Sequence, residues 1–343
     1  MRISFKKEII TTVFHNPKHG FQLTPAHCEI RYDPLTGQLS RIFPSKRINF
    51  HQPGPKSTAG ESEGTCPFCP ENLEKSTPRF PEDLIPSGRL KSGKACVIPN
   101  LSVYESYNGV VIMSPDHYVG MKEISAEMIS QSLRASLEFL VTAGRKDPGN
   151  ARYGSVNWNY MPCAGGSLIH PHLQVIAGRN PSTYAQSVIK ASDEYYKSKG
   201  SVFWSDLVET ESGGDRHPGN TGNITWLSTF APRGLADITA IIPEKRSASD
   251  INAKDIANLA SGLLKVISYY HRCGIPGFNT SLYLAGREDE GFWSTLRIIG
   301  RFNTAPLAGS DVSYMQTLLG DPWSFQLPEV TAAEMKTYFD RPR

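Results

Sequence analysis

The sequence predicts a mixed α+β fold built as two similar halves, and three observations carry the prediction. Apolar runs ending in Pro115-Asp116-His117 and in Pro243-Glu244-Lys245 repeat one grammar, strand then proline then acid then base, 128 residues apart. Helical periodicity is found in each half. It covers residues 123–145, where Ile124, Met128, Leu133, Leu137 and Leu140 fall on or near one face, and residues 254–271. Placing residues 296–300 (LRIIG) over 173–177 (LQVIA) gives a similar offset, 123 residues. A period this long indicates duplication of a half-domain and not a solenoid repeat.

The elements follow in order. Residues 29–47 read as a hairpin, two alternating runs joined by Asp33-Pro34-Leu35-Thr36-Gly37. Residues 51–65 form a polar loop rich in Gly, Pro and Ser, and Cys66-Pro67-Phe68-Cys69 comes directly after it. A buried-type strand fills 109–114 and stops at Pro115. Further strands are expected over 153–161, within 165–178, over 238–242, and over 277–286 and 292–303.

Bulk properties exclude several classes. A chain of 343 residues, 39% hydrophobic and 20% charged, has ample apolar surface for one large domain or two ordinary ones. A net charge of +3 with no basic tract argues against a nucleic-acid partner. No apolar run approaches the length of a membrane span. Residues 1–10 lack the apolar core of a signal peptide, so the cytoplasm is the expected location. There, six cysteines are better read as thiols or metal ligands than as a disulfide framework.

The chemistry concentrates in residues 165–178, GGSLIHPHLQVIAG. On a strand, His170, His172 and Gln174 point to one face, while Pro171, Leu173 and Val175 point to the other. Gly165 and Gly166 allow a close backbone approach just upstream, and Ser167 adds a hydroxyl; together they suit a phosphate held by backbone N–H groups. Cys66 and Cys69 have the spacing at which one turn offers two thiolates to one ion. That spacing alone is shared by zinc sites and redox motifs, but a Gly/Ser loop precedes it where a redox motif expects a strand. His117 and His170 are the candidate remaining ligands. If His170 is held by a metal, His172 is left free on the same face as a nucleophile or general base. Arg31, Arg47 and Arg233 lie beside turns, where an enzyme of anionic substrates would use cations. The other histidines, His15, His19, His27, His51, His217 and His271, are expected in loops or at a helix end. Cys28, Cys96, Cys163 and Cys273 are expected to be buried small hydrophobes.

With Cys66-Pro67-Phe68-Cys69, Ser114-Pro115-Asp116-His117 and Gly166-Ser167-Leu168-Ile169-His170-Pro171-His172-Leu173-Gln174 in this order, the chain resembles the galactose-1-phosphate uridylyltransferase family. That family is a branch of the histidine-triad superfamily, and the resemblance covers nearly the whole chain. It implies an α+β fold of two histidine-triad-like halves from an internal duplication, each an antiparallel-rich sheet flanked by helices. Residues 1–200 would carry the zinc site and catalytic motif; residues 201–343 would form a half without the catalytic histidines, since Trp293 and Thr295 stand where His170 and His172 stand.

The resemblance also implies a ping-pong reaction. His172 would take a nucleoside monophosphate, UMP in the family's usual case, from a nucleotide sugar and pass it to a sugar 1-phosphate. Gln174 and Ser167 would contact the transferred phosphate. Asn159 and Gly166 would contribute to substrate binding, as would Arg31 and Arg47. One structural Zn2+ per chain would be held by Cys66, Cys69, His117 and His170, and a homodimer is expected. Two departures bear on the acceptor. Ser313-Tyr314-Met315-Gln316 stands where the family's hexose-gripping Gly-Tyr-Glu lies, and Met161 replaces the usual glycine two residues after the asparagine. Pro171, where related phosphorylases often have serine, favours a transferase. The sequence leaves open the base, the sugar, and whether a sugar phosphate, inorganic phosphate or water resolves the intermediate. A nucleotide-sugar phosphorylase or hydrolase is therefore the alternative enzyme. A catalytically inactive zinc-containing nucleotide-binding protein is the non-enzymatic one, although His172 and Gln174 are both present. A zinc hydrolase would need an open coordination position, which four protein ligands do not leave.

Overall fold

The computed structural model describes residues 3–44, 50–51 and 62–340. Arg47 lies outside the described residues. The chain starts with a two-stranded ribbon, β1 (Lys7–Asn16) antiparallel to β2 (Gln22–Tyr32), and β2 pairs in turn with β3 (Leu39–Ile42). The expected hairpin at 29–47 is the β2–β3 pair. Its turn is fixed by the Asp33 carboxylate, which accepts from the backbone N–H groups of Leu35 and Thr36, and by Gly37 at φ +72°. The β1–β2 ribbon is missing from the sequence reading because it has no clean alternation: apolar and polar residues occur on both of its faces. His15 and His27 therefore lie on ribbon strands and not in loops, and His19 is in the short turn between them. A further two-residue strand, β4 (Phe50–His51), comes next.

One antiparallel sheet forms the body of the molecule. It contains β5 (Leu90–Ser92), β6 (Ala95–Pro99), β7 (Tyr107–Ile112), β8 (Tyr153–Tyr160), β9 (His172–Gly178), β10 (Gly219–Thr221), β11 (Ile224–Ser228), β12 (Leu235–Ile241), β13 (Gly277–Leu284) and β14 (Thr295–Arg301). Their order is β10-β11-β12-β14-β13-β8-β9-β7-β6-β5, so it reads the same outward in both directions from the β13–β8 pairing. Three short strands, β15 (Asn303–Thr304), β16 (Gly309–Ser310) and β17 (Trp323–Ser324), finish small sheets with β4 and β3.

The helices are α1 (Pro70–Ser76), α2 (Ala126–Lys146), α3 (Thr183–Lys199), α4 (Phe203–Glu211), α5 (Ala253–Arg272), α6 (Tyr314–Thr317) and α7 (Pro328–Phe339). The two long helices expected from periodicity are α2, between β7 and β8, and α5, between β12 and β13. Ser125 caps α2 by accepting from the Met128 N–H, and Asn252 with Asp255 forms a capping box on α5. Both helices cover one face of the sheet. There Leu133, Leu137 and Leu140 share a single core with Val156, Leu173 and Val175, and Leu263, Val266 and Ile267 continue it to Leu282 and Ile298. Each such fully buried side chain contributes roughly 1.5–3 kcal/mol. That burial fixes the pleat, because a one-residue slip would turn all of these residues to the other face. The opposite face carries His172 and Gln174. Of the four cysteines expected to be buried, Cys96 is, Cys28 and Cys163 are half-buried, and Cys273 is exposed. Cys273 sits one residue past the end of α5, outside the apolar stripe.

Candidate active site

Three chain segments converge at one edge of the His172 face. Cys66 and Cys69 flank Phe68 before α1, His117 follows β7, and His170 precedes β9. The thiol and imidazole ligand atoms of Cys66, Cys69, His117 and His170 all lie within 4.8 Å of one another, and all four residues are buried. Cys69 Sγ is 3.3 Å from His117 Nδ1 and 3.7 Å from His170 Nδ1; Cys66 Sγ is also 3.7 Å from His170 Nδ1. A tetrahedral Zn2+ with ordinary bond lengths separates sulfur from nitrogen by about 3.6 Å, so the donor set fits such an ion.

The outer contacts orient both imidazoles. His170 Nε2–H donates to the Ser114 carbonyl at 2.8 Å, which leaves Nδ1 as the ligand atom. His117 Nε2 meets the Ser62 hydroxyl at 3.0 Å. Burial lowers His170 to about 4, against the favourable Ser114 carbonyl, so its ring is neutral at pH 7. Burial and the neighbouring Cys66 thiol push Cys69 up to about 12. A bound cation reverses that order by stabilising the thiolate.

His172 is the first residue of β9. Its Nδ1–H donates to the His170 carbonyl at 2.8 Å, so the Nε2 lone pair is the free one. Burial also lowers its pKa and holds the ring neutral. The Phe68 ring packs edge-on against both His170 and His172, with centroids 5.9 and 5.4 Å away. The metal-type cluster thus sets the position of the ring beside it. Gln174 is half-buried on the same face, two residues along the strand.

On the neighbouring β8, Asn157 is paired with Gln174, and Asn159 follows on the same face. The loop after β8 turns sharply. Gly165 has φ +85°, and a Cβ on Gly166 would stand 3.1 Å from the Asn159 carbonyl and 3.2 Å from the Met161 carbonyl. Met161 has φ 74° and ψ 157°, a region that suits glycine, which accounts for the glycine found at this place in the resembled family. Ser167 is exposed at the end of this turn.

Arg31, expected at a substrate phosphate, is engaged elsewhere. It is buried, both Nη atoms donate to Glu329 at 2.9 Å, Nη1 also donates to the Phe230 carbonyl, and Nε is bound by Glu29. Arg233 stacks on Tyr184 and donates to Gln38. In the second half, Thr295 and Arg297 of β14 occupy the corresponding floor. Arg297 is ion-paired with Asp237 and faces a pocket walled by Tyr184, Tyr283 and Leu35.

Sequence reasoning missed the polar row that continues from Gln174 across the centre of the sheet. Asn157 donates to the Gln174 carbonyl at 3.3 Å and accepts from the Ser281 hydroxyl at 2.7 Å. Asn279 donates to Asn159 at 2.7 Å. The signal was present: Ser155, Asn157 and Asn159 alternate with Val156, Trp158 and Tyr160, so one face of β8 is wholly polar.

No family model matches the chain. An uncharacterized protein of Archaeoglobus fulgidus is 32% identical over 309 residues, 90% of this chain and 91% of that one. Among solved structures, ADP-glucose phosphorylase from Arabidopsis thaliana with bound ADP-glucose is similar over 90% of this chain and 98% of its own, at 18% identity and a TM-score of 0.71. A GalT-like protein from Arabidopsis thaliana covers the same shares at 18% identity and a TM-score of 0.69. A uridylyltransferase does so at 22% identity and a TM-score of 0.66. The chain therefore belongs to one family with the Archaeoglobus fulgidus protein, as a divergent chain with the GalT-like fold.

Proposed function

We propose that this protein is a nucleotidyltransferase that works through a covalent nucleotidyl-histidine on His172. The observation that carries the reading is the free Nε2 lone pair of a neutral, buried imidazole whose Nδ1–H is fixed by the His170 carbonyl. Nε2 attacks the α-phosphorus of a nucleotide sugar. An N–P bond forms, the bridging P–O bond breaks, and the sugar 1-phosphate leaves with the electron pair. A phosphate oxygen of a second sugar 1-phosphate then attacks the same phosphorus and expels the imidazole, which is a good leaving group when it departs with its ring neutral. UMP is the first candidate for the group transferred.

In this reading Gln174 and Ser167 hold oxygens of the transferred phosphate, while Asn159 and the Gly166 backbone bind substrate alongside them. Arg31 keeps a structural role. Zn2+ held by Cys66, Cys69, His117 and His170 supplies a closed structural clamp. Residues 1–200 form the catalytic half and residues 201–343 the half without catalytic histidines. The protein works in the cytoplasm on nucleotide sugars as a homodimer. The β1–β2 ribbon supports the dimer, because it exposes Ile9, Ile10, Val13, Phe14, Phe21 and Leu23. A two-stranded ribbon is marginal in water without a covering partner.

A second reading, a nucleotide-sugar phosphorylase, is favoured by one observation. The family's hexose-gripping glycine and glutamate are absent from Ser313-Tyr314-Met315-Gln316, so inorganic phosphate can replace the sugar phosphate as acceptor. Isotope exchange tests the shared first step. Labelled glucose 1-phosphate should enter UDP-glucose or ADP-glucose with no other acceptor present. Exchange that requires a second substrate would rule out the covalent intermediate.

A further inference from the structure

Asn159 is suited to a phosphate only if it presents its NH2 group, and its amide orientation is set from the other half of the molecule. Arg301 has only donors. It is ion-paired with Asp311 at 2.7 Å, and its Nη1 donates to Asn279 Oδ1 at 2.5 Å. That contact fixes the amide of Asn279, whose Nδ2 then donates to Asn159 Oδ1 at 2.7 Å and to the Ala164 carbonyl at 2.8 Å. With Oδ1 occupied, Asn159 turns Nδ2 toward the site, and that nitrogen has no partner among the described residues. Asn159 and Asn279 are direct cross-strand neighbours on β8 and β13, where the two halves of the sheet meet. The Ala164 carbonyl immediately precedes the Gly165-Gly166-Ser167 turn, so the same amide also pins that turn.

We propose that Asn279, held by Arg301 and Asp311, is a positioning residue: it keeps the Asn159 amide in the donor orientation and anchors the glycine turn beside His172. Its effect on catalysis rests on the nucleotidyl-transfer reading, whereas the amide orientation does not. Asp311 accepts from Arg301, and from Arg301 the donors run one way, Arg301 to Asn279 to Asn159. A change of chemistry without a change of shape should therefore reverse the last link.

Asn279→Asp is that change. It keeps the acceptor for Arg301 but offers a second acceptor to Asn159 Oδ1, so the Asn159 amide rotates and turns its oxygen to the phosphate. Losing a hydrogen bond to a charged group costs about tenfold or more. Adduct formation on His172 from UDP-glucose or ADP-glucose should therefore slow by about 10- to 100-fold at saturating donor. The melting temperature should stay near that of the wild type. Asn159→Ala should show a similar loss, and the double variant should lose well under the product of the two single losses, because only the turn contact to the Ala164 carbonyl is left for Asn279→Asp to remove. Multiplicative losses in the double variant, or an unaffected Asn279→Asp enzyme, would overturn the proposal.

A ligand-free readout separates this from the nucleotidyl reading. In the 1H–15N spectrum, the Asn159 side-chain amide, assigned by its disappearance in Asn159→Ala, should shift in Asn279→Asp. If neither donor forms an adduct, the nucleotidyl reading fails and the spectrum alone judges the relay; an unmoved Asn159 signal would refute it.

Discussion

Replacing Arg31 with methionine removes the guanidinium that ties the N-terminal sheet to α7, while the methionine stem still covers the Phe230 ring. Arg31 is 1% exposed, and the centre of its guanidinium lies 4.7 Å from the centroid of that ring. Deleting one partner of a buried ion pair costs roughly 3–5 kcal/mol. Glu329 retains Arg216 at 3.0 Å and its side chain is 30% exposed, so the expected loss here is about 2–3 kcal/mol. The pH dependence supplies a second check. Burial pushes the Glu329 carboxyl up, but Arg31, the helix backbone and Arg216 outweigh it and hold it at about 2, below the ordinary 4.5. A folded value below the unfolded one means the stabilisation is complete above pH 4.5 and is lost as the pH falls through 2. At about 1.4 kcal/mol per pH unit, that span is worth about 3 kcal/mol, or about 2 kcal/mol after solvent screening. Urea denaturation of both proteins at pH 7 should show the gap, and a series from pH 5 to pH 2 should narrow it. An Arg31→Met protein as stable as wild type at pH 7, with nucleotide binding lost, would refute this account and return Arg31 to the substrate.

Three further predictions follow from the site and the ribbon. Cys69→Ser should lower bound zinc from one per chain toward none by elemental analysis, destabilise the chain by more than about 3 kcal/mol, and abolish adduct formation; full activity without metal would contradict the clamp. Gly166→Ala places a Cβ 3.1 Å from the Asn159 carbonyl and 3.2 Å from the Met161 carbonyl, so the turn must shift by a few tenths of an ångström beside His172, and adduct formation should fall about tenfold with the fold intact by circular dichroism. Ile9→Lys combined with Phe14→Lys, at exposed ribbon positions, should convert a dimer to a monomer in sedimentation velocity; an unchanged dimer would move the interface elsewhere on the surface.

The parts of the fold legible in the sequence are those whose periodicity is produced by one buried face. Helices α2 and α5 and strands β7, β9, β12 and β14 pack against a common core, so their apolar spacing is regular. The ribbon β1–β2 is largely exposed on both faces, with only Ile30 and Arg31 buried at its base, and left no such pattern; its histidines were assigned to loops for that reason. Among site residues, Cys66 and Cys69 were legible from their Cys-x-x-Cys spacing, whereas His117 and His170 were only candidate partners until the resemblance to the family supplied the ligand set. Arg31 was misplaced because an arginine beside a turn looks the same whether it meets a phosphate or a glutamate nearly 300 residues away in sequence. Glu329 is that partner, and nothing in the local sequence points to it. Asn159 was named through the resemblance, but its row-mates Asn157, Asn279 and Ser281 needed the β8–β13 register, which long-range pairing sets. Met161 was noticed as a departure from the family pattern, and its positive φ gives the physical reason a glycine is usual there.

The claim that matters most is that His172 becomes covalently nucleotidylated. Intact mass spectrometry after brief mixing with UDP-glucose, ADP-glucose and related nucleotide sugars measures it directly, with His172→Asn as the control. The account predicts a mass increase of one nucleoside monophosphate on the wild type alone, located in the peptide spanning residues 165–178 and discharged by glucose 1-phosphate or by inorganic phosphate. An adduct that persists in His172→Asn, or turnover of a nucleotide sugar with no adduct on the wild type, would contradict it.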